Sequence, residues 1–286
     1  MDRLKEVLAF VNNKGGVGKT TSVLNVATGL IRHDNNLRVL VIDCDPQGNI
    51  SSLLGWDEHR KAFDNHQQTL YDALMDGNNR SLPVYKAREG LFYVPATDNL
   101  TYIEPLLNMQ NNSKLVLSTL FGNVLEYMDG RYLDAPEVLN YVQDDFDYVL
   151  IDCPPALGAL TSNALGAATG LIVPVELDSM SIRGIARIIE TYKSITTGKN
   201  ALNPDLFFRG ILLVKADERT NVAKDSIKYI RDTYGDICFS SYTHQCVKVH
   251  EAHFIPTDIF THDPDCRAAK DYAALVEEII ATTPTE

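Results

Sequence analysis

Residues 12–21 constrain the fold more than any other part of the chain. They read Asn12-Asn13-Lys14-Gly15-Gly16-Val17-Gly18-Lys19-Thr20-Thr21, set between a short apolar run at 7–11 and an apolar helical stretch at 19–32. A strand, a glycine-rich turn and a helix in that order make a loop whose backbone N–H groups turn inward around phosphate oxygens, because glycines put no Cβ in the way. The helix N-terminus adds partial positive charge beneath the anion. In such a loop Lys19 reaches the β- and γ-phosphates, the Thr20 hydroxyl serves Mg²⁺, and Thr21 offers one more hydrogen bond.

The rest of the pattern supplies the sheet that this loop needs. Short runs rich in Val, Ile and Leu recur at 39–42, 91–94, 148–151, 170–175 and 207–214. They read as strands buried on both faces, as parallel strands are. Helical stretches at 162–168, 181–195, 222–234 and 266–280 alternate with them. The expectation is an α/β fold, doubly wound, with a mostly parallel sheet and helices on both faces in three layers. A single domain over 1–286 is expected, with a longer, less regular middle region at about 57–145. Within it, the polar stretches 57–68 and 108–113 read as surface loops.

Composition removes several function classes. No run approaches the ~18 apolar residues that cross a bilayer, and charges interrupt the N-terminus, so neither a spanning helix nor a cleaved leader is expected. Five dispersed cysteines without a CxxC pair suit a reduced, cytoplasmic protein. Cys238, His244, Cys246, His250 and His253 crowd together, but at no common zinc spacing. The net charge of −12 hides an uneven distribution: residues 1–178 carry −10, residues 179–231 carry +5, and residues 232–286 carry −7. A basic block in an acidic chain is a candidate polyanion surface. Its side chains include Arg183, Arg187, Arg219, Lys224, Lys228 and Arg231, and the last three recur at helical spacing along one face.

Acids follow two of the strand-like runs. Asp43 and Asp45 close the second, and Asp152 closes the run at 148–151. In doubly wound sheets ligands sit beyond the carboxyl ends of strands, where these carboxylates would meet a metal, water or a cation. The loop departs from the general phosphate-loop spacing, with Asn13 where a glycine is usual and a second lysine at Lys14. If a second subunit faces the loop, Lys14 could neutralise that subunit's transferring phosphate.

The run from Lys14 to Thr21 resembles the deviant Walker A motif of the ParA/MinD family of ATPases, which are P-loop NTPases whose signature lysine sits at the Lys14 position. Asp43-Cys44-Asp45-Pro46-Gln47-Gly48-Asn49 resembles that family's first switch, and residues 146–155 its Walker B strand. The resemblance spans residues 4–56 and 145–281 well and the middle loosely. It implies ATP and Mg²⁺ as cofactors and an ATP-dependent homodimer in which the signature lysine crosses between subunits. It also implies the site residues: Lys14, Lys19 and Asp45 as catalytic, and Thr20, Asp43 and Asp152 around the metal. The loop residues Gly15, Gly16, Val17, Gly18 and Thr21 bind nucleotide, and Asn163 faces nucleotide or partner. There are two departures. Tyr242-Thr243-His244-Gln245 stands where the family commonly has Ile-Pro-Arg-Asn, which puts base contacts there in doubt. Val214-Lys215-Ala216-Asp217 stands where the family tends to have Thr-Met-Tyr-Asp.

Within the family, the basic block favours a ParA/Soj-type partition ATPase that binds DNA without sequence specificity and works with a ParB-like centromere-binding partner. Such a protein is cytoplasmic and joins the nucleoid when ATP-bound. A MinD-like ATPase positioning a protein or membrane-associated cargo is the alternative. The acidic, proline-containing end at 277–286 argues against a membrane anchor. Cys153 directly follows Asp152 with no suitably placed second cysteine, unlike the cluster ligands of the nitrogenase iron protein. The first strand starts close to Met1, so no preceding DNA-reading domain is expected.

Overall fold

The structure, a computed structural model, describes residues 3–62, 68–75, 82–108, 115–121, 124–127, 137–139 and 142–284. In chain order the first half holds β1 (Glu6–Phe10), α1 (Lys19–His33), β2 (Val39–Asp43), α2 (Asn49–Leu53), α3 (Trp56–Ala62), α4 (Leu70–Met75), β3 (Leu82–Arg88) and β4 (Leu91–Val94). Next come α5 (Ile103–Asn108), α6 (Val116–Leu120), β5 (Val124–Tyr127), β6 (Glu137–Leu139), α7 (Val142–Asp145), β7 (Tyr148–Asp152) and α8 (Ala159–Ala167). The chain continues through β8 (Gly170–Glu176), α9 (Ser179–Thr196), β9 (Phe207–Val214), α10 (Asn221–Tyr234), α11 (Val247–Phe254), α12 (Ile259–His262) and α13 (Arg267–Ala281).

Among the described residues, nine strands join one sheet in the order β6-β5-β3-β4-β2-β7-β1-β8-β9. The six apolar runs are its parallel part, from β4 through β9, and each is buried almost end to end. Alternation divides their side chains between two cores. Val7, Ala9, Leu40, Ile42, Val149 and Ile151 face the layer built from α4, α5, α6, α8, α9 and α10. Leu8, Phe10, Val39, Val41, Tyr148 and Leu150 face α1, α12 and α13. The three-layer, doubly wound arrangement is as expected.

The middle region differs from expectation. Residues 57–62, expected as loop, lie in α3, packed through Trp56 at its first position; residues 63–67 and 109–113 lie outside the described residues. β3 runs antiparallel to β4 and carries β5 and β6 outward from it. Pro83 and the charges of Lys86 and Arg88 mask this strand in the sequence, and only its first four positions are fully buried. Helix starts also move. Asp178 caps α9 by accepting the N–H groups of Met180 and Ser181, so α9 begins at Ser179 rather than at 181.

Candidate active site

The loop of residues 12–21 leaves the carboxyl end of β1 and is fastened at its base. The buried Asn12 carboxamide donates to the Pro174 carbonyl at 2.6 Å and accepts the Lys14 N–H at 2.9 Å. Gly16 and Gly18 have φ of +75° and +90°, which side-chain-bearing residues adopt at a cost. Gly18 is the N-cap of α1 and supplies no side-chain cap, so the first helical N–H groups keep their capacity for an anion. A cleft of about 720 Å³ opens over this turn, lined by Gly15, Gly16, Gly18, Lys19, Thr20, Thr21 and Asp45 on one side. Val17 turns its side chain into the core, leaving only its backbone to the loop.

Lys19 is almost fully buried beneath the turn, its ammonium donating to the Lys14 carbonyl at 3.3 Å. Burial lowers its pKa, while Asp152, Cys153 and Asp45 pull it back up. Asp152 ends β7 in register with Asp43 at the end of β2. Both Asp152 carboxylate oxygens are buried and accept no hydrogen bond. Burial, and then the neighbouring Asp43, push its pKa well above the carboxylate range, against the pull of Thr20 and Lys19. Buried polar atoms without partners are rare, and two carboxyl oxygens beside a threonine hydroxyl and the phosphate loop are a donor set that fits Mg²⁺, whose charge would favour the ionised form.

Asp43, expected near the metal, is occupied by donors of its own chain. One of its oxygens accepts the Ser51 hydroxyl at 2.6 Å and the Ser51 N–H at 3.0 Å, and the other accepts the Asp45 N–H at 3.0 Å. Ser51 in turn accepts the Ala96 N–H at 2.9 Å, which ties the end of β4 to α2. Asp43 thus shapes the turn that carries Asp45, and burial outweighs these donors to raise its pKa to about 7. Asp45 itself is half-buried on the cleft wall, where one oxygen accepts the Gln47 N–H at 3.0 Å.

Asn163, expected to face nucleotide or partner, lies apart from the loop and the two acids. It is buried on α8, accepts the Leu117 N–H at 3.1 Å and donates to the Ala159 carbonyl at 3.0 Å, so its carboxamide joins α6 to α8 and does not line the cleft. Lys14 is held within its own subunit. Its ammonium meets Asp178 at 2.7 Å, the Ser181 hydroxyl at 3.2 Å and Glu176 at 3.8 Å. Partial burial pushes the Asp178 carboxyl up, but the Lys14 ammonium and the Ser181 hydroxyl and N–H outweigh it and hold the pKa at about 2. The Asp178-x-x-Ser181 spacing marks a helix cap in the sequence; that the cap also grips Lys14 is a tertiary fact.

The far end of the cleft is lined by Thr243, His244, Gln245 and Cys246, with Val249, His250 and His253 of α11, so the departure from Ile-Pro-Arg-Asn leaves this segment in contact with the cleft. Backbone bonds between Ala216 and Thr243 (2.8 Å) and between Gln245 and Ala216 (3.1 Å) hold it beside the exit of β9. His244 sits between Asp271 at 2.9 Å and Glu218 at 3.1 Å, with Arg267 against the same ring edge.

The basic residues are brought onto one layer. α9 and α10 pack on the same core through Ile185, Ile188 and Ile230, leaving Arg183, Arg187, Lys224, Lys228 and Arg231 exposed. Arg231 also donates to the Ser240 carbonyl at 3.0 Å. Arg219 is exposed but chelated by Asp217 at 2.7 and 2.8 Å, which lessens its charge toward a partner. Arg209 of the same block is buried against Glu6 at 2.7 Å and plays no part in the surface.

Comparison with known proteins agrees with this geometry. The model of an AAA domain family matches residues 5–208. The chromosome-partitioning ATPase Soj of Treponema pallidum is 32% identical, with 96% of this chain and 97% of that protein aligned. The sporulation initiation inhibitor protein Soj of Bacillus subtilis is 31% identical over 96% and 98%. Among solved structures, cobyrinic acid a,c-diamide synthase from Mycobacterium smegmatis with a bound ATP analog and magnesium superposes with a TM-score of 0.72 at 26% identity, covering 99% of this chain and 100% of that one. A plasmid partition protein from Borrelia burgdorferi shares the fold at a TM-score of 0.71 and 18% identity, covering 97% and 99%. The chain belongs to the AAA domain family, as a partition ATPase of the ParA/Soj type.

Proposed function

We propose that this ATPase uses Mg·ATP to switch between a monomer and a DNA-binding homodimer, and so moves a DNA cargo with a ParB-like, centromere-binding partner. The observation that carries the nucleotide part is the glycine loop opening onto the cleft, with the buried Asp152 carboxyl beside Thr20 and Lys19 at its base. The loop amides and Lys19 bind and neutralise the phosphates, Thr20 and Asp152 hold Mg²⁺, and Asp45 orients the attacking water from the cleft wall. The metal, when bound, neutralises charge on the phosphate oxygens. Asp43 and Ser51 keep Asp45 in place.

Lys14 completes the site of a facing subunit only after leaving Asp178, which makes turnover slow in the monomer. Lys14→Gln is expected to abolish ATP-dependent dimerisation. The exposed cations of α9 and α10 form the DNA surface, and the dimer doubles it, so nucleoid association depends on ATP. A MinD-like role with membrane cargo is disfavoured by α13. Its apolar face is already spent on the core, and among the described residues no helix is long and apolar enough to cross a membrane.

The test is binding to arbitrary duplex DNA with no nucleotide, with ADP and with ATP, across a salt series. Binding confined to ATP and falling steeply with salt is expected. Lys228→Glu with Arg231→Glu removes two cations from each subunit of the dimer and should flatten the log–log salt slope by up to about 4, at ~0.9 per lost phosphate contact, while basal ATPase persists. No DNA binding in any nucleotide state would sink the DNA reading.

A further inference from the structure

Lys215 is the one non-glycine residue with positive φ, +56°, among the described residues. It sits directly after β9, where a lysine backbone adopts this conformation only if its surroundings impose it. They do. Leu213 accepts the Thr243 N–H at 3.0 Å, and Ala216 donates to and accepts from the 243–245 segment, so the backbone is pinned on both sides of the turn. The turn sends the Lys215 side chain out of the strand direction and onto the cleft wall. There its ammonium donates to the Gly16 carbonyl at 2.5 Å.

Gly16 has nothing within 4 Å of the place its Cβ would occupy, so the tip of the loop has little packing to hold it. A trans peptide carries its C=O and N–H in opposite directions, and fixing the Gly16 carbonyl therefore fixes the Val17 N–H. Glu176 links this contact to the signature lysine: one of its oxygens lies 3.9 Å from the Lys215 ammonium and the other 3.8 Å from that of Lys14.

We propose that Lys215 is a positioning residue of the nucleotide site, clamping the tip of the phosphate loop through the Gly16 carbonyl and sharing Glu176 with Lys14. The inference rests on the nucleotide reading above and adds to it a residue outside the loop, the two acid-bearing strands and the signature lysine.

Three variants test it: Lys215→Met keeps the bulk and loses the donor, Lys215→Gly loses the donor and relieves the backbone, and Lys215→Arg keeps a cation. The readouts are affinity for a fluorescent ATP analogue with Mg²⁺, KM and kcat of basal hydrolysis, and hydrogen exchange of the 14–20 amides without nucleotide. The Met and Gly variants should lose about tenfold in affinity, the scale of one charge-assisted hydrogen bond, through KM rather than kcat. Their loop amides should exchange faster, and arginine should restore most of both effects. Lys215→Gly should melt no lower than the parent, which separates lost clamping from lost folding. Affinity within twofold of the parent in both variants, or a loss confined to kcat, overturns the proposal. A parent protein that fails to bind the analogue would instead sink the nucleotide reading itself.

Discussion

The fold holds the acids and the lysine beneath the glycine loop at a cost. Asp43 stays protonated in the folded chain up to about pH 7, and Asp152 is displaced in the same direction. In the unfolded chain both ionise near pH 4. Folding therefore takes up protons as pH rises from the unfolded carboxylate range toward neutrality, and stability falls through that window. Without nucleotide or metal, Tm should drop from pH 5 to pH 7.5, and Asp152→Asn should shrink the drop. Mg·ATP should shrink it as well, by giving the carboxylate charge a partner. A Tm flat across that range in the parent protein would contradict the burial assigned to the pair. Lys19 pays similarly from the cationic side, since its burial is relieved only in part by Asp152.

At the scale of elements, α1 is the helix on which the site depends, and it is held by close approach. A Cβ on Gly29 would lie 2.8 Å from Val276 of α13 and 3.2 Å from Phe260 of α12. Alanine gains up to about 1 kcal/mol over glycine inside a helix, but Val276 is stiff at χ1 and cannot swing away, so overpacking by about 1–3 kcal/mol wins. Gly29→Ala should lower Tm by several degrees in thermal denaturation. This packing was not legible in the sequence, where Gly29 is one glycine inside a helical pattern. The parallel strands were legible because burial on both faces leaves unbroken apolar runs, and the loop was legible because Gly16, Gly18 and Lys19 serve one local geometry. Asp152 was legible for the same reason, as an acid closing an apolar strand. Lys215, Ser51 and the hold of Asp178 on Lys14 were not, because each acts on a residue far away in the chain. For Asp43 and Asn163 a motif position marks where the residue sits, while the hydrogen bonds its oxygens accept depend on neighbours brought in by the fold.

Across the whole molecule, one buried network joins distant parts of the chain. Arg209 of β9 donates to Glu6 of β1 at 2.7 Å, to the Ile279 carbonyl at 2.6 Å and to Thr282 at 2.8 Å, and Thr283 donates to the other Glu6 oxygen at 2.8 Å. Arg209→Leu leaves the Glu6 carboxylate buried without its cation and should cost about 3–5 kcal/mol in chemical denaturation. Adding Glu6→Leu should recover much of that loss, because the isolated charge and not the missing attraction is the larger penalty. A double variant no more stable than Arg209→Leu alone would argue against this account.

The same network has a consequence in time. β1 lies inside the sheet between β7 and β8, and its one acid is answered only from residues 209 and 283. A ribosome adding about 5–20 residues per second takes on the order of ten seconds to travel from β1 to β7, and longer to reach Thr283. Until β7 is made, β1 is an apolar strand packed by α1 but without its sheet partners. Synthesis thus leaves β1 waiting for residues made far later in the chain, and nascent chains stopped before α13 should be clients for chaperones rather than folded ATPases.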